Sequence, residues 1–394
     1  MTCLLVIGGA SASQQFADLF KGGLDAEDSG NLDAALAKFT EALNLSPNSA
    51  RAWEKRGEIY LRKGEPQSAI KDFLEATRLD PGYSEAFSRL GFAYNAVNNY
   101  DKAVAALSIA VKLDPSSAEA FNTLGFAFNG KNDYVSAIQN FDKAILLNPK
   151  DPRYYNNRGF AFNGLHKYEQ ALEDFNKAME LDQTNSMFFN NRGVSYLRLK
   201  QYDKALEDFD RALKINSQFV SAYHNKGMAY SGKGRPDKAV EEFSKVMEMN
   251  PNSPILYKDR GTAYRQLGEY ELALQDFEKA ISLDTKFAPG YASLGLLRAT
   301  APQPPIKNPS LGLRLAQRAV TLTNGTSPDM LETLAQVQRS LSMSDAAEKT
   351  LYRALQLDPS NQEYQALFRE WTGRSLPERP AVVRKRYGIF DALW

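Results

Sequence analysis

Residues 153–160 (RYYNNRGF) return as residues 187–194 (MFFNNRGV), and residues 168–178 (YEQALEDFNKA) return as 202–212 (YDKALEDFDRA). Both pairs are offset by 34 positions. A fixed period of that size marks stacked supersecondary units, each burying its apolar face only against its neighbours. Followed outward in both directions, the period gives eight units without a gap over residues 16–287.

Counting from Phe16, the eighth position of each unit is glycine: Gly23, Gly57, Gly91, Gly125, Gly159, Gly193, Gly227 and Gly261. Glycine inside a helix costs about 1 kcal/mol against alanine, so an unbroken column needs a packing reason. Twelve residues on stands an alanine column, from Ala35 and Ala69 to Ala239 and Ala273. Alanine facing the missing side chain is the expected close contact of two antiparallel helices. Large residues recur as Trp53, Phe87, Phe121, Tyr155, Phe189, Tyr223 and Tyr257, and again from Tyr60 to Tyr264 and from Phe39 to Phe277. Their spacing fits one face of each of two helices. Pro81, Pro115, Pro149 and Pro251 stop the second helix, and turn formers such as Asn98-Asn99 and Lys131-Asn132 separate the two. Each unit therefore reads as a helical hairpin.

These columns resemble the tetratricopeptide repeat, whose signature is aromatic, Leu, Gly, aromatic, Ala, Phe, Ala and Pro at fixed offsets. The resemblance implies an all-α fold, a right-handed α-solenoid superhelix of antiparallel helix hairpins, with first helices lining a concave groove. Residues 288–359 read as two divergent units, interrupted by a proline-rich insertion at 300–310 (TAPQPPIKNPS). Residues 360–373 read as a capping helix, with Tyr364, Leu367, Phe368 and Trp371 inward and Gly373 ending it. A solenoid needs such a cap because an open end exposes its core. Residues 374–394 form a basic and aromatic tail around Arg384-Lys385-Arg386.

Composition excludes several functions. Forty-eight Lys and Arg balance 47 Asp and Glu, which gives no general pull toward nucleic acid. One cysteine and two histidines, His166 and His224, leave no material for a zinc site or a histidine-based catalytic cluster. No phosphate loop or nucleophile motif is present, so neither an enzyme nor a cofactor is expected. The acidic pairs Glu173-Asp174 and Glu207-Asp208 recur with the period and read as a solvated face. No run reaches the roughly 18 apolar residues of a membrane span. Residues 1–15 are an N-terminal tail; residues 3–12 (CLLVIGGASA) end in the small-x-small pattern of an export signal, which favours an exported over a cytoplasmic chain.

The groove carries the functional lead. By the resemblance, positions two, five, six, nine, twelve and thirteen of each unit face it. The fifth reads Asn122, Asn156, Asn190 and His224, and the sixth Asn157, Asn191 and Asn225. The ninth offers Phe126, Phe160, Val194 and Met228 after Phe92, and the twelfth Asn95, Asn129 and Asn163. Asparagine is a mediocre helix former, so a strict column of it needs another purpose. A carboxamide donates and accepts, matching what a peptide backbone presents. The pattern is similar to the asparagine ladder in the repeat arm of O-linked N-acetylglucosamine transferase. The competing purpose is bonding between neighbouring helices. The family's carboxylate clamp does not fit: no three consecutive units match it, and in the second unit Glu54 and Glu58 stand where its lysine and asparagine would be. The expected function is a non-enzymatic scaffold that holds an extended peptide or partner segment during assembly of a larger complex. The alternative is self-assembly into a homo-oligomer, the tail of one subunit docking into the next.

Overall fold

The computed structural model describes residues 11–302 and 304–374, and every statement below concerns these. They form 21 α-helices and no strand. Residues 3–10 of the export-signal reading at 3–12 and residues 375–394 of the tail at 374–394 lie outside the described residues. Residues 11–15 of the expected N-terminal tail are described: Ser11 caps α1, which begins at Ala12.

The helices divide between two compact units, Met1–Phe219 and Val220–Trp394. The first holds six hairpins: α1 (Ala12–Asp28) with α2 (Leu32–Leu45), α3 (Ala50–Arg62) with α4 (Pro66–Leu79), and α5 (Ser84–Ala96) with α6 (Tyr100–Leu113). They continue as α7 (Ala118–Gly130) with α8 (Tyr134–Leu147), α9 (Pro152–Gly164) with α10 (Tyr168–Leu181), and α11 (Ser186–Arg198) with α12 (Tyr202–Ile215). Within this unit the second helices α2, α4, α6, α8 and α10 also pack on the first helix of the following hairpin, so the core runs along the stack.

The second unit holds α13 (Val220–Gly232) with α14 (Pro236–Met249), α15 (Pro254–Leu267) with α16 (Tyr270–Leu283), α17 (Ala288–Thr300) with α18 (Pro309–Leu322), and α19 (Pro328–Ser340) with α20 (Ser344–Leu357). A single helix, α21 (Gln362–Thr372), then covers α20 with Tyr364 and Phe368 buried. Gly373 ends it in the left-handed conformation, φ 64°. The proline-rich connection is anchored, because Ile306 is buried among Leu294, Leu297 and Phe277.

Local chemistry sets the boundaries. Asn31, Asn99, Asp133 and Ser117 each accept a backbone N–H at a helix start, and Pro66, Pro152 and Pro236 occupy first turns that need no N–H. The turn inside nine of the ten hairpins, all but α17–α18, passes through one left-handed residue: Gly30, Gly64, Asn98, Asn132, His166, Lys200, Gly234, Gly268 and, in the last hairpin, Ser342. His166 thus lies exposed in a turn, its Nδ1 2.7 Å from the Tyr168 hydroxyl.

Two expectations are corrected. The glycine column does not face alanine. A Cβ on Gly57 would lie 2.7 Å from the Phe73 ring, and one on Gly159 2.8 Å from Phe175. Glycine makes room for the fully buried phenylalanine sixteen residues on, and for Leu107 opposite Gly91. Nor are all the acidic pairs solvated. Glu173 and Glu207 are exposed, but Asp174 and Asp208 are buried. Arg158 grips Asp174 through Nε (2.8 Å) and Nη2 (2.6 Å), and Arg192 grips Asp208 at 2.8 and 2.7 Å. Burial pushes the Asp174 and Asp208 carboxyls above the usual range, and their arginines pull against it. Arg56 with Asp72 and Arg260 with Asp276 repeat the arrangement.

Candidate peptide groove

The first helices α5, α7, α9 and α11 lie side by side and are bonded through asparagine. The Asn157 amide donates to Asn122 Oδ1 at 2.9 Å, and the Asn191 amide donates to Asn156 Oδ1 at 2.9 Å. Along each helix the fifth-position amide reaches the sixth-position oxygen, Asn156 to Asn157 at 3.3 Å and Asn190 to Asn191 at 3.4 Å. The partners therefore alternate: a bond across helices, then a bond within one. Asn122, Asn156 and Asn190 are buried, while Asn157 and Asn191 are half-buried. Bonding between neighbouring helices is thus one real use of the asparagines.

Twelfth-position residues add a second row. The Asn95 amide donates to the Thr123 carbonyl at 3.2 Å, and the Asn129 amide donates to the Asn157 carbonyl at 3.5 Å. The side-chain oxygens of Asn95 and Asn129 are buried with no protein partner. Asn163 accepts from the Ser195 hydroxyl at 2.9 Å.

Amide valence decides what is left over. Each carboxamide has two N–H donors and an oxygen with two lone pairs. Asn157 and Asn191 each spend one N–H and accept one bond within the network, so each retains a donor and a lone pair. Both side chains are partly exposed; Asn157 lines two clefts on one face of the helices, and Asn191 lines the second of them.

That face is apolar. Phe92, Phe126 and Phe160, one per hairpin at the ninth position, are 50, 48 and 50% exposed. Between Phe92 and Phe126 lies a cleft of about 470 Å³, with Asn95, Asn122, Asn156 and Asn157 around it. Between Phe126 and Phe160 lies a second of about 410 Å³, with Asn129, Asn156, Asn157 and Asn191. Met187, half exposed, lines both. Glu119 and Arg153 stand at the first cleft, paired at 2.8 Å.

Of the residues expected from sequence, Asn95, Asn122, Phe126, Asn129, Asn156, Asn157, Phe160 and Asn191 are gathered around these two clefts. Asn163, Asn190 and Val194 are on the same helices but line neither. His224, Asn225 and Met228 belong to the second unit; there His224 Nε2 lies 2.8 Å from Asp259 Oδ2, while Met228 is exposed. Sequence reasoning missed Tyr100 and Tyr134, which line the second cleft from second helices. The sequence holds a cue in Gly130 and Gly164, each thirty residues after its tyrosine, where a Cβ would lie 2.3 Å from the Tyr100 ring and 2.5 Å from Tyr134.

Among the described residues no group of His, Cys, Asp and Glu could hold a metal, and no helix is long and apolar enough to cross a membrane. Models of the tetratricopeptide repeat match residues 20–84, 90–155, 152–185, 187–219, 220–253 and 254–287. The chain belongs to the tetratricopeptide repeat family, whose fold is generally a non-catalytic protein-interaction scaffold. No curated protein matches it. Among solved structures, a tetratricopeptide repeat protein from Parabacteroides merdae is 18% identical over 64% of this chain and 99% of its own, with TM-score 0.54. Yeast Tom70 is 15% identical over 92% of this chain and 96% of its own, TM-score 0.45. YrrB, described as a tetratricopeptide protein with an unusual peptide-binding site, is 23% identical over 48% and 97%, TM-score 0.40.

Proposed function

We propose that this scaffold captures an extended peptide segment along the first helices of its third to sixth hairpins. The observation that carries the reading is the half-exposed ladder Phe92, Phe126 and Phe160 beside carboxamides with unused valence. Three large rings left half in water at one strict interval cost solvation that burial against a partner recovers, about 1 kcal/mol for each ring since half of it is already covered. Asn157 and Asn191 offer a donor and an acceptor to a backbone, while Asn122 and Asn156 hold them in position. Each bond adds only about 0.5–1.5 kcal/mol net, so affinity in the micromolar range is expected.

The test is selection from a displayed library of unstructured peptides on the full chain, with a Phe126→Ser/Phe160→Ser variant in parallel. Both rings are half exposed, so the variant keeps its helical circular dichroism. Peptides retained by the wild type and lost by the variant support the reading. Peptides retained equally by both would remove the groove from the account.

A further inference from the structure

We infer that the groove of the first unit takes an uncharged segment in the polyproline II conformation, with an apolar side chain at every third residue. The inference rests on the peptide-groove reading and narrows its ligand.

Spacing is the first argument. The Asn157–Asn122 and Asn191–Asn156 bonds hold adjacent first helices in direct contact. Helices packed this way lie about 8–10 Å apart. A ligand that uses Phe92, Phe126 and Phe160 alike must therefore repeat at roughly that interval. Polyproline II has three residues per turn and rises about 3.1 Å per residue, returning to the same face every ~9 Å. A β-strand returns every ~6.7 Å and falls out of step by the second ring. Two turns of α-helix come close in length, but a helix about 10–12 Å wide fills roughly 800 Å³ over that distance. The clefts on either side of Phe126 hold about 470 and 410 Å³.

Charge is the second argument. At the first cleft Arg153 is shared between Glu119 at 2.8 Å and Asp151 at 2.7 Å, so its charge is already engaged, and the second cleft is lined by aromatic rings, Met187, glycine and asparagines. Such a surface gives no return for desolvating a ligand charge. Backbone chemistry is the third. Polyproline II makes no internal hydrogen bonds, so its carbonyls remain free for the N–H groups that Asn157 and Asn191 retain. Aromatic-lined grooves suit it because the ligand loses little entropy on binding.

The chain's own proline-rich connection is not the occupant, since Ile306 is buried within its own hairpin. Residues 375–394 carry Arg384-Lys385-Arg386, which a neutral groove does not reward.

The experiment is fluorescence anisotropy on the full chain with two end-blocked, labelled peptides of equal length made only of proline and leucine. One places leucine at every third position; the other has the same number of leucines gathered at alternate positions in one half and proline elsewhere. The first is expected to bind about tenfold tighter, with Phe126→Ala removing most of that preference. Equal affinities, no binding of either, or tighter binding of an alternating Leu-Ser strand-former would overturn the inference. Equal affinities would leave the library result, and with it the broader groove reading, standing. A chain lacking residues 375–394 should bind unchanged; a gain of about tenfold or more would make the tail the occupant instead.

Discussion

Replacing Asn156 by alanine removes the centre of the asparagine network. Its oxygen accepts from Asn191 at 2.9 Å, its amide donates weakly to Asn157 at 3.3 Å, and the side chain is only 5% exposed. One good bond contributes about 1 kcal/mol net, and a donor left without a partner costs about 1–3 kcal/mol when buried. Asn191 is half-buried, so water recovers part of that cost. Alanine returns roughly half a kcal/mol of helix propensity. The net loss is about 1–2 kcal/mol, local to the contact between α9 and α11. A long repeat array need not unfold in one step, so the assay is native-state hydrogen exchange of those two helices. The coupling in an Asn156→Ala/Asn191→Ala cycle should be about 0.5–1.5 kcal/mol. A coupling indistinguishable from zero would refute the claim that the asparagines hold each other. Peptide affinity should fall as well, although Asn156 itself is buried beneath the ligand path.

Two further substitutions test the packing and the electrostatics. Gly159→Ala places a methyl 2.8 Å from the Phe175 ring, so overpacking of about 1–3 kcal/mol exceeds the ~1 kcal/mol of propensity gained and the melting temperature falls. Gly22→Ala meets nothing nearer than Lys38 Cδ at 3.7 Å and should instead raise it. Burial, 1% exposure, pushes the Glu54 carboxyl from 4.5 up to about 7; Lys55 pulls it down, Glu58 adds to the rise, and Arg89 and Glu85 make smaller, opposed contributions. The folded state therefore holds the proton more tightly than the unfolded chain. Stability from this group is complete below pH ~4.5 and is lost as pH rises through ~7. Glu54→Gln should leave denaturant stability nearly unchanged at pH 4.5 and raise it by about 3 kcal/mol at pH 8. An equal effect at both pH values would contradict the assignment.

The hairpins were legible because period, glycine, proline and turn residues are local signals that each hairpin repeats. What faces what was less so. Spacing put Ala opposite glycine, but the relative height of two antiparallel helices puts Phe175 over Gly159. The buried aspartates were missed although the sequence carried a cue. Arg56, Arg158, Arg192 and Arg260 stand at the seventh position wherever Asp72, Asp174, Asp208 and Asp276 stand sixteen residues later, and Lys226 accompanies Glu242. The hairpins with Leu90 and Leu124 have Ala106 and Asn140 instead. The asparagine columns were visible, but their two uses were not separable from sequence. A carboxamide that bonds the next helix and one that faces a ligand occupy adjacent positions, as Asn156 and Asn157 do. Only the direction of each amide distinguishes them.

The most direct measurement is a crystal structure of the full chain with the tightest peptide from the library selection. The account predicts the peptide lying across Phe92, Phe126 and Phe160, with its backbone within hydrogen-bond distance of the Asn157 and Asn191 carboxamides. A peptide bound on the second helices, or one that leaves Phe126 in solvent, would contradict it.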